Sequence, residues 1–389
     1  MIRIYNALLL AADRGQETVL VMLDYSSAFD TIDHDIMLHR LSSRYGIAGN
    51  ALNWFHSYFS NRTQSVLING TSSVPNVLTE GVPQGSVMGP LCFLMYTAPL
   101  EDIIETCGTS KMIYADDTQI YVSLPKCADR ATVIAQIESC ICKIKDWSLR
   151  NSLKLNLGKT EVLHLRSRNK SLTSLSVNVC DIPILSVPKA RDLGVIVQDD
   201  LSMKTHINKM CKSAALGLHR IGKIRNCLDR STTEKLVHAF IFSHLDNNNG
   251  LLIGVPESQL TGLQRLQNSA ARLVTRKRKF EHITPILRSL HWLPIRDRIK
   301  FKVLTLVFKC LHGNAPAYLS ELIKPYQPGR NLRSQSKNLL SEIRVKSKTF
   351  GDRAFEKMAP TLWNKLPQNI RDITDFDTFK SMLKTHLFD

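Results

Sequence analysis

No two cysteines in this 389-residue chain are spaced as CxxC, and the nine present are odd in number and scattered; Cys140 and Cys142, the closest two, are separated by one residue. A disulfide framework or zinc knuckle is therefore not expected. The histidines show no HExxH spacing, so zinc is not expected either. No apolar run reaches the roughly 18 residues that a membrane-spanning helix needs. The stretch from Ala7 to Ala12 behind Arg3 is too short for a signal peptide and runs into Asp13 and Arg14. There is no long low-complexity tract, and nothing beyond residue 200 repeats at a fixed period. These absences point to a folded protein of an intracellular, reducing compartment with no membrane partner; they leave nucleus and cytoplasm equally open.

What is present is charge, unevenly placed. The net charge is +17, yet residues 1–200 hold 18 Lys+Arg against 20 Asp+Glu, leaving 33 against 14 for residues 201–389. An acidic-leaning front half and a strongly basic back half suit a protein that holds cations in one part and a polyanion with the other. A solvated lysine-rich surface would give the same balance.

Thr18 to Leu23 is a compact, β-branched apolar run that stops at Asp24, and reads as a buried strand ending in a carboxylate. Helical spacing follows from Asp33 through Leu41 and from Leu52 to Phe59, with Gly46 and Gly49 between. Ser65 to Asn69 and Val74 to Leu78 read as strands around an Asn69-Gly70 turn. A turn-rich loop, Gly81 to Ser86, leads into an apolar stretch from Val87 to Leu100 that reads as one buried helix.

Two apolar runs, Met112 to Ala115 and Thr118 to Val122, meet at Asp116-Asp117 in the manner of a tight hairpin with acids at its tip. Helical periodicity over Ala131 to Trp147 precedes strands at Val162 to Leu165, around Ile184, and at Leu193 to Val197. Beyond residue 200 the pattern is helical, as in Leu260, Leu263, Leu266, Ala270 and Leu273. The expected plan is α+β over residues 1–200 and a basic helical region over 201–389.

Asp24 at a strand end and Asp116-Asp117 at a hairpin tip are the residue types that two-metal phosphoryl transfer needs. Two Mg²⁺ ions roughly 3.5–4 Å apart must be held by carboxylates on rigid backbone. Taken singly, an acid after a strand is commonly a helix cap, and Asp-Asp in a turn is commonly turn chemistry.

The order of the whole series carries more. Leu23-Asp24-Tyr25-Ser26-Ser27-Ala28-Phe29-Asp30 resembles the first catalytic motif of reverse transcriptases, Gly81-Val82-Pro83-Gln84-Gly85-Ser86 the second, and Tyr114-Ala115-Asp116-Asp117 the third. Leu155-Asn156-Leu157-Gly158-Lys159-Thr160 resembles the fourth and Leu193-Gly194-Val195 the fifth, all in the family's order. The wording around them (AFDTIDH, GVPQGSVMGPL, YADDTQIY) is similar to LINE-like, non-LTR retrotransposons, and so is the tail through LQRLQNSAARLV and LHWLPI.

That resemblance implies a right-hand polymerase: an antiparallel palm sheet with packed helices, partial fingers, and a helical thumb and C-terminal region. It implies an RNA-directed DNA polymerase that takes an RNA template, a DNA primer and dNTPs. Its cofactor would be two Mg²⁺ ions, with Mn²⁺ as the alternative. Asp24, Asp116 and Asp117 take the places of the metal-binding carboxylates, and the backbone carbonyl of Tyr25 completes the second metal site.

Phe29 takes the place of an aromatic that excludes a ribose 2′-hydroxyl, with an ordinary core phenylalanine as the other reading. Gln84, with Pro83 and Gly85 beside it, would contact the incoming nucleotide and the template. Lys159 takes the place of a general acid for pyrophosphate, or is a surface lysine. Arg276-Lys277-Arg278-Lys279 reads as a phosphate-contacting patch, a nuclear localisation signal or a solvated loop. Trp292, between leucines, reads as core rather than a base-stacking platform.

Only 23 residues precede Asp24. The family normally carries a substantial fingers region there, and an endonuclease elsewhere. The expectation is therefore a truncated chain, and the alternative function is a catalytically inactive remnant that binds nucleic acid. Asn247-Asn248-Asn249, where the family often has an aromatic and a cysteine, reads as decay outside the boxes.

Overall fold

The computed structural model describes all residues except Gln84, 126–128, 167–174, 180–181, 328–337 and 389. The chain divides into two compact units. One runs from Glu17 to Leu165 and continues to Ala190; the other comprises Met1–Gln16 and Arg191–Asp389 together with Arg166.

The first unit is built on a six-stranded sheet. Its strands are β1 (Glu17–Leu23), β2 (Ser110–Tyr114), β3 (Asp117–Leu124), β4 (Glu161–Leu165), β5 (Ser176–Val179) and β6 (Ile182–Val187), in the order β5-β6-β4-β1-β3-β2. All neighbours pair antiparallel except β4 and β6, where Val162 faces Ser186 and Leu163 faces Val187 in parallel. The expected antiparallel sheet is thus antiparallel with one exception. The chain leaves β4 and returns to its side only after β5, so β6 enters in the same direction.

β1 is buried along nearly its whole length, as its unbroken Thr-Val-Leu-Val-Met-Leu run implies for a central strand covered on both faces. Val19, Val21 and Leu23 join a core with Met37, Phe93, Tyr96, Ile137 and Ile141 from the flanking helices. Each large side chain fully buried here contributes roughly 2–3 kcal/mol. A charged group sits within the same sheet. Glu17 is buried, bound twice by the Arg130 guanidinium at 2.8 and 3.0 Å and by His164 Nε2 at 3.1 Å.

The stretch from Val87 to Leu100 is two helices, Gly89–Thr97 and Pro99–Thr106, rather than one. Pro99 has no N–H to continue the first helix, and Val87, Leu91 and Leu94 face solvent. The Asn69-Gly70 turn holds as expected, both residues taking positive φ between the strand pairs Leu67–Ile68 and Thr71–Ser72.

The second unit is helical, and the N-terminal helix Ile2–Asp13 belongs to it. Asp13 accepts the backbone N–H groups of Lys346 and Ser347, and Asn6 accepts that of Glu356 at 3.0 Å. The expected boundary at residue 200 therefore differs in two ways: the division falls at Ala190, and the first sixteen residues group with the C-terminal half. Helices Lys204–Ile224 and Glu257–Thr275 pack together, with Gly217 so close to the Phe240 carbonyl that a Cβ there would sit 2.7 Å away.

Trp292 is 3% exposed, edge-on to Phe242 with centroids 4.6 Å apart, so the core reading of this residue is the observed one. Asn248 holds φ 52, a conformation asparagine tolerates well, and Asn249 is buried and donates to Asp246. Leu193 and Gly194 both take positive φ and form a turn, so the strand expected from Leu193 begins at Val195. Seven cysteines among the described residues are free. No helix among those residues is long and apolar enough to cross a membrane.

Candidate active site

The carboxylates come together through strand register. β1 and β3 pair with Met22 opposite Gln119 and Leu23 opposite Thr118, so the residue that follows β1, Asp24, arrives beside Asp117. β2 and β3 form a hairpin in which Tyr114 faces Asp117, leaving Ala115 and Asp116 as its two-residue tip. Ala115 takes φ 54, a left-handed conformation that costs a non-glycine residue about 1 kcal/mol. The Asp117 carboxyl is held above the usual carboxylate range by partial burial first, then by the negative charges of Asp116 and Asp24. Three acids thus sit close enough to feel one another, although among the described residues no three His, Cys, Asp or Glu side chains form a ready-made metal cage.

Asp24 is fixed from the fourth box. Tyr25–Ser26 pairs antiparallel with Lys154–Leu155, and the Asn156 N–H donates to the Asp24 carbonyl at 2.8 Å. The turn that follows is closed by Thr160, whose hydroxyl and N–H both donate to the Asn156 carbonyl. It delivers the Lys159 ammonium to 3.1 Å from Asp24 Oδ2, off the line of a hydrogen bond. That oxygen is buried and accepts no hydrogen bond. Lys159 itself is about two-thirds exposed, so the pair is a loose contact at the edge of the site.

Tyr25 pairs through its backbone with Leu155, and its ring is buried. The phenol lies 3.2 Å from Ser148 Oγ and is pushed up to about 12 by burial. Phe29 is partly buried with its ring 5.1 Å from that of Phe93, so its structural role is real whatever else it does.

The second box is latched to the first. Gly81 N donates to the Ile32 carbonyl at 2.7 Å, Val82 N to the Phe29 carbonyl at 2.8 Å, and His34 Nε2 lies 2.8 Å from the Gly81 carbonyl. Gly81 takes φ 84, and a Cβ there would fall 2.7 Å from the Asp30 carbonyl oxygen, so glycine is needed on both counts. Gly85, also at positive φ, is exposed. Gln84 lies outside the described residues.

Sequence reasoning passed over His34 and Gly81, although both stood inside quoted motifs. It also passed over Tyr114, which is 64% exposed beside the carboxylates. The signal available in the sequence was its place at the head of the third box, directly before the hairpin tip.

Arg276–Lys279 belong to the helical unit. Arg276 ends the helix Glu257–Thr275 at φ 55, and the run is exposed, with Lys277 paired to Glu281 at 3.0 Å.

Residues 5–197 match the reverse transcriptase (RNA-dependent DNA polymerase) family. The chain is 23% identical over 308 residues to a probable RNA-directed DNA polymerase from transposon BS of Drosophila melanogaster, covering 76% of this chain and 33% of that protein. It is 24% identical over 214 residues to the RNA-directed DNA polymerase from mobile element jockey of Drosophila funebris, covering 54% and 22%. The chain thus spans a third or less of the length of these relatives. Among solved structures, apo telomerase of Candida tropicalis aligns at TM-score 0.42 and 10% identity, over 77% of this chain and 49% of that one. The ordered boxes, the register that gathers their acids and the family match agree: residues 5–197 carry a reverse transcriptase domain, and the chain is similar to the RNA-directed DNA polymerases of Drosophila mobile elements.

Proposed function

We propose that this chain is an RNA-directed DNA polymerase, joining dNTPs to a primer 3′-hydroxyl on an RNA template. The observation that carries it is the register Leu23 opposite Thr118, which sets Asp24 beside the Asp116-Asp117 hairpin. The site suits divalent cations: Asp24 offers a buried oxygen without a hydrogen-bond donor, and the mutual repulsion evident at Asp117 is what a cation relieves. Mg²⁺ commonly uses one or two carboxylates and fills its remaining positions with water and substrate phosphate. Mn²⁺ could serve in its place.

In this reading Asp24 and Asp116 hold the ions, with Asp117 more peripheral and the Tyr25 carbonyl as a further ligand. When bound, the ions supply the charge that activates the attacking hydroxyl and stabilises the leaving oxygen. Phe29 bounds the space beside the sugar and disfavours a 2′-hydroxyl. Gln84 and Gly85 belong to the loop that meets the nucleotide, Gly85 allowing close approach of backbone. Lys159 rests on Asp24 as a protonated amine and donates its proton to pyrophosphate as it leaves. In the helical unit, Arg276, Lys277, Arg278 and Lys279 contact template or primer phosphates without reading sequence.

A second reading, nucleic acid binding without catalysis, is favoured by the strongly basic residues 201–389 and by Lys159 supplying the cation at Asp24. Primer extension with Mg²⁺ on an RNA template, run beside Asp116→Ala, separates the two. Extension that disappears in the variant supports the polymerase. Extension that persists in the variant removes it, and a cooperatively folded protein that never extends but binds RNA in a salt-dependent way favours the second reading.

A further inference from the structure

The helical unit contains a cleft of about 540 Å³ whose lining includes Arg166, Ser202, Lys204, Lys348, Thr349 and Arg353. Arg353 is the unusual member. It is 5% exposed, and its guanidinium donates to the carbonyls of Leu201 at 2.8 Å and Thr349 at 3.3 Å and to the Tyr5 hydroxyl at 2.9 Å. None of these is an anion, and among the described residues no carboxylate lies within ion-pair reach of it. Its Nε is buried without a partner.

A guanidinium keeps its proton at accessible pH, so Arg353 carries a full charge in a low-dielectric site, compensated among the described residues by dipoles and by the face of the Tyr5 ring 6.0 Å away. The rest of the lining adds to that charge. Lys204 and Lys348 are exposed and have no ion-pair partner among the described residues. Arg166 is paired with Asp199 at 3.6 Å. Asp200, the acidic residue of the lining, accepts the Ser202 N–H at 2.9 Å. The cations outnumber the acids, and Thr349 adds a hydroxyl; that of Ser202 donates to Gln198 Oε1 at 3.4 Å.

We propose that this cleft is a phosphate-binding site that seats the backbone of a nucleic-acid strand, with Lys204 and Lys348 as its outer contacts and Arg353 as its base. Phosphate fits because it is anionic and has several acceptor oxygens, enough for two ammonium groups and a hydroxyl together. Every lining residue belongs to the helical unit, so the site does not depend on the catalytic carboxylates. It rests on the reading that the chain handles nucleic acid, but not on polymerisation.

The test is the salt dependence of binding by the full chain, without dNTPs, to a single-stranded RNA oligonucleotide, comparing the parent with Lys204→Gln/Lys348→Gln. Each phosphate contact adds about 0.7 to the slope of log affinity against log salt for a single strand. The double variant is expected to lose about 1.4 from that slope, and roughly 25-fold in affinity at about 0.1 M salt. Lys204→Arg/Lys348→Arg keeps both charges and should restore the slope. The same slopes taken in an Asp116→Ala background remain decisive if primer extension fails.

Calorimetric titration with inorganic pyrophosphate distinguishes the phosphate's source. Pyrophosphate binding lost in the Gln variant, with the RNA slope unchanged, would overturn the strand and assign the cleft to a free phosphate. An unchanged slope together with unchanged pyrophosphate binding would overturn the site altogether.

Discussion

Replacing Lys159 by Gln should slow the reaction while tightening the binding of divalent cations, two effects of opposite sign from one substitution. The ammonium lies 3.1 Å from Asp24 Oδ2. Two unit charges at that distance attract by about 1 kcal/mol at the dielectric of water and by about 5 kcal/mol at an effective dielectric near 20. Because the lysine is about two-thirds exposed and off hydrogen-bond geometry, the lower figure applies. A cation entering the site must displace that ammonium. Removing it should strengthen Mn²⁺ or Mg²⁺ binding by about fivefold, the equivalent of about 1 kcal/mol.

The reaction responds the other way, since losing a general acid commonly costs roughly 10²–10⁴ in rate. The assay has two parts: Mn²⁺ binding followed by paramagnetic resonance without substrate, and kcat for primer extension at saturating Mg²⁺. Stability should hardly move, because exposed pairs contribute about 0–1 kcal/mol. Mn²⁺ binding that weakens or stays the same in Lys159→Gln would refute the idea that the ammonium competes for Asp24. An unchanged kcat would refute the proton donor.

Gly81→Ala should destabilise the sheet unit by about 2–4 kcal/mol in chemical denaturation, from a Cβ 2.7 Å from the Asp30 carbonyl and a backbone at φ 84; an unshifted midpoint would show that the latch yields freely. His206 sets a pH dependence in the helical unit. Its imidazole, pushed down to about 4 by burial and then by Lys209, has Nε2 buried without a partner. The unfolded chain takes up a proton near pH 6.5 that the folded one refuses, so stability is full above 6.5 and is lost as pH falls toward 4, by at most about 3 kcal/mol. In His206→Leu the fall in melting temperature between pH 7.5 and 4.5 should shrink; a fall as steep as in the parent would refute this.

The features legible in the sequence were those written in local pattern. β1 could be read because a central strand is apolar on both faces, and the β2–β3 hairpin because two short apolar runs meet at a pair of acids. Those two readings located Asp24, Asp116 and Asp117 before any register was known. The features that escaped depend on contacts distant in sequence. Asp13 accepts the N–H groups of Lys346 and Ser347. No periodicity in the first sixteen residues records that tie, so the N-terminal helix was placed with the wrong neighbours. The break at Pro99 was legible and went unread, because continuous hydrophobicity from Val87 to Leu100 was weighed above one missing N–H.

The Asn247–Asn249 run carries the same lesson at residue level. As sequence it departs from the family and reads as loss. In the fold Asn248 takes the left-handed conformation that asparagine tolerates well, and Asn249 is buried and bonded to Asp246. A segment under no constraint would have no reason to place a low-penalty residue where φ is positive and a hydrogen-bonding one where the chain is buried. The helical unit is therefore matched to its own sequence at the very point where resemblance fails. This is also why the charge of Arg353 calls for an explanation: Arg225, likewise buried, has its Nε and both terminal nitrogens on carbonyls, whereas Arg353 lines a cleft with no anion in ion-pair reach among the described residues and keeps a buried Nε without a partner.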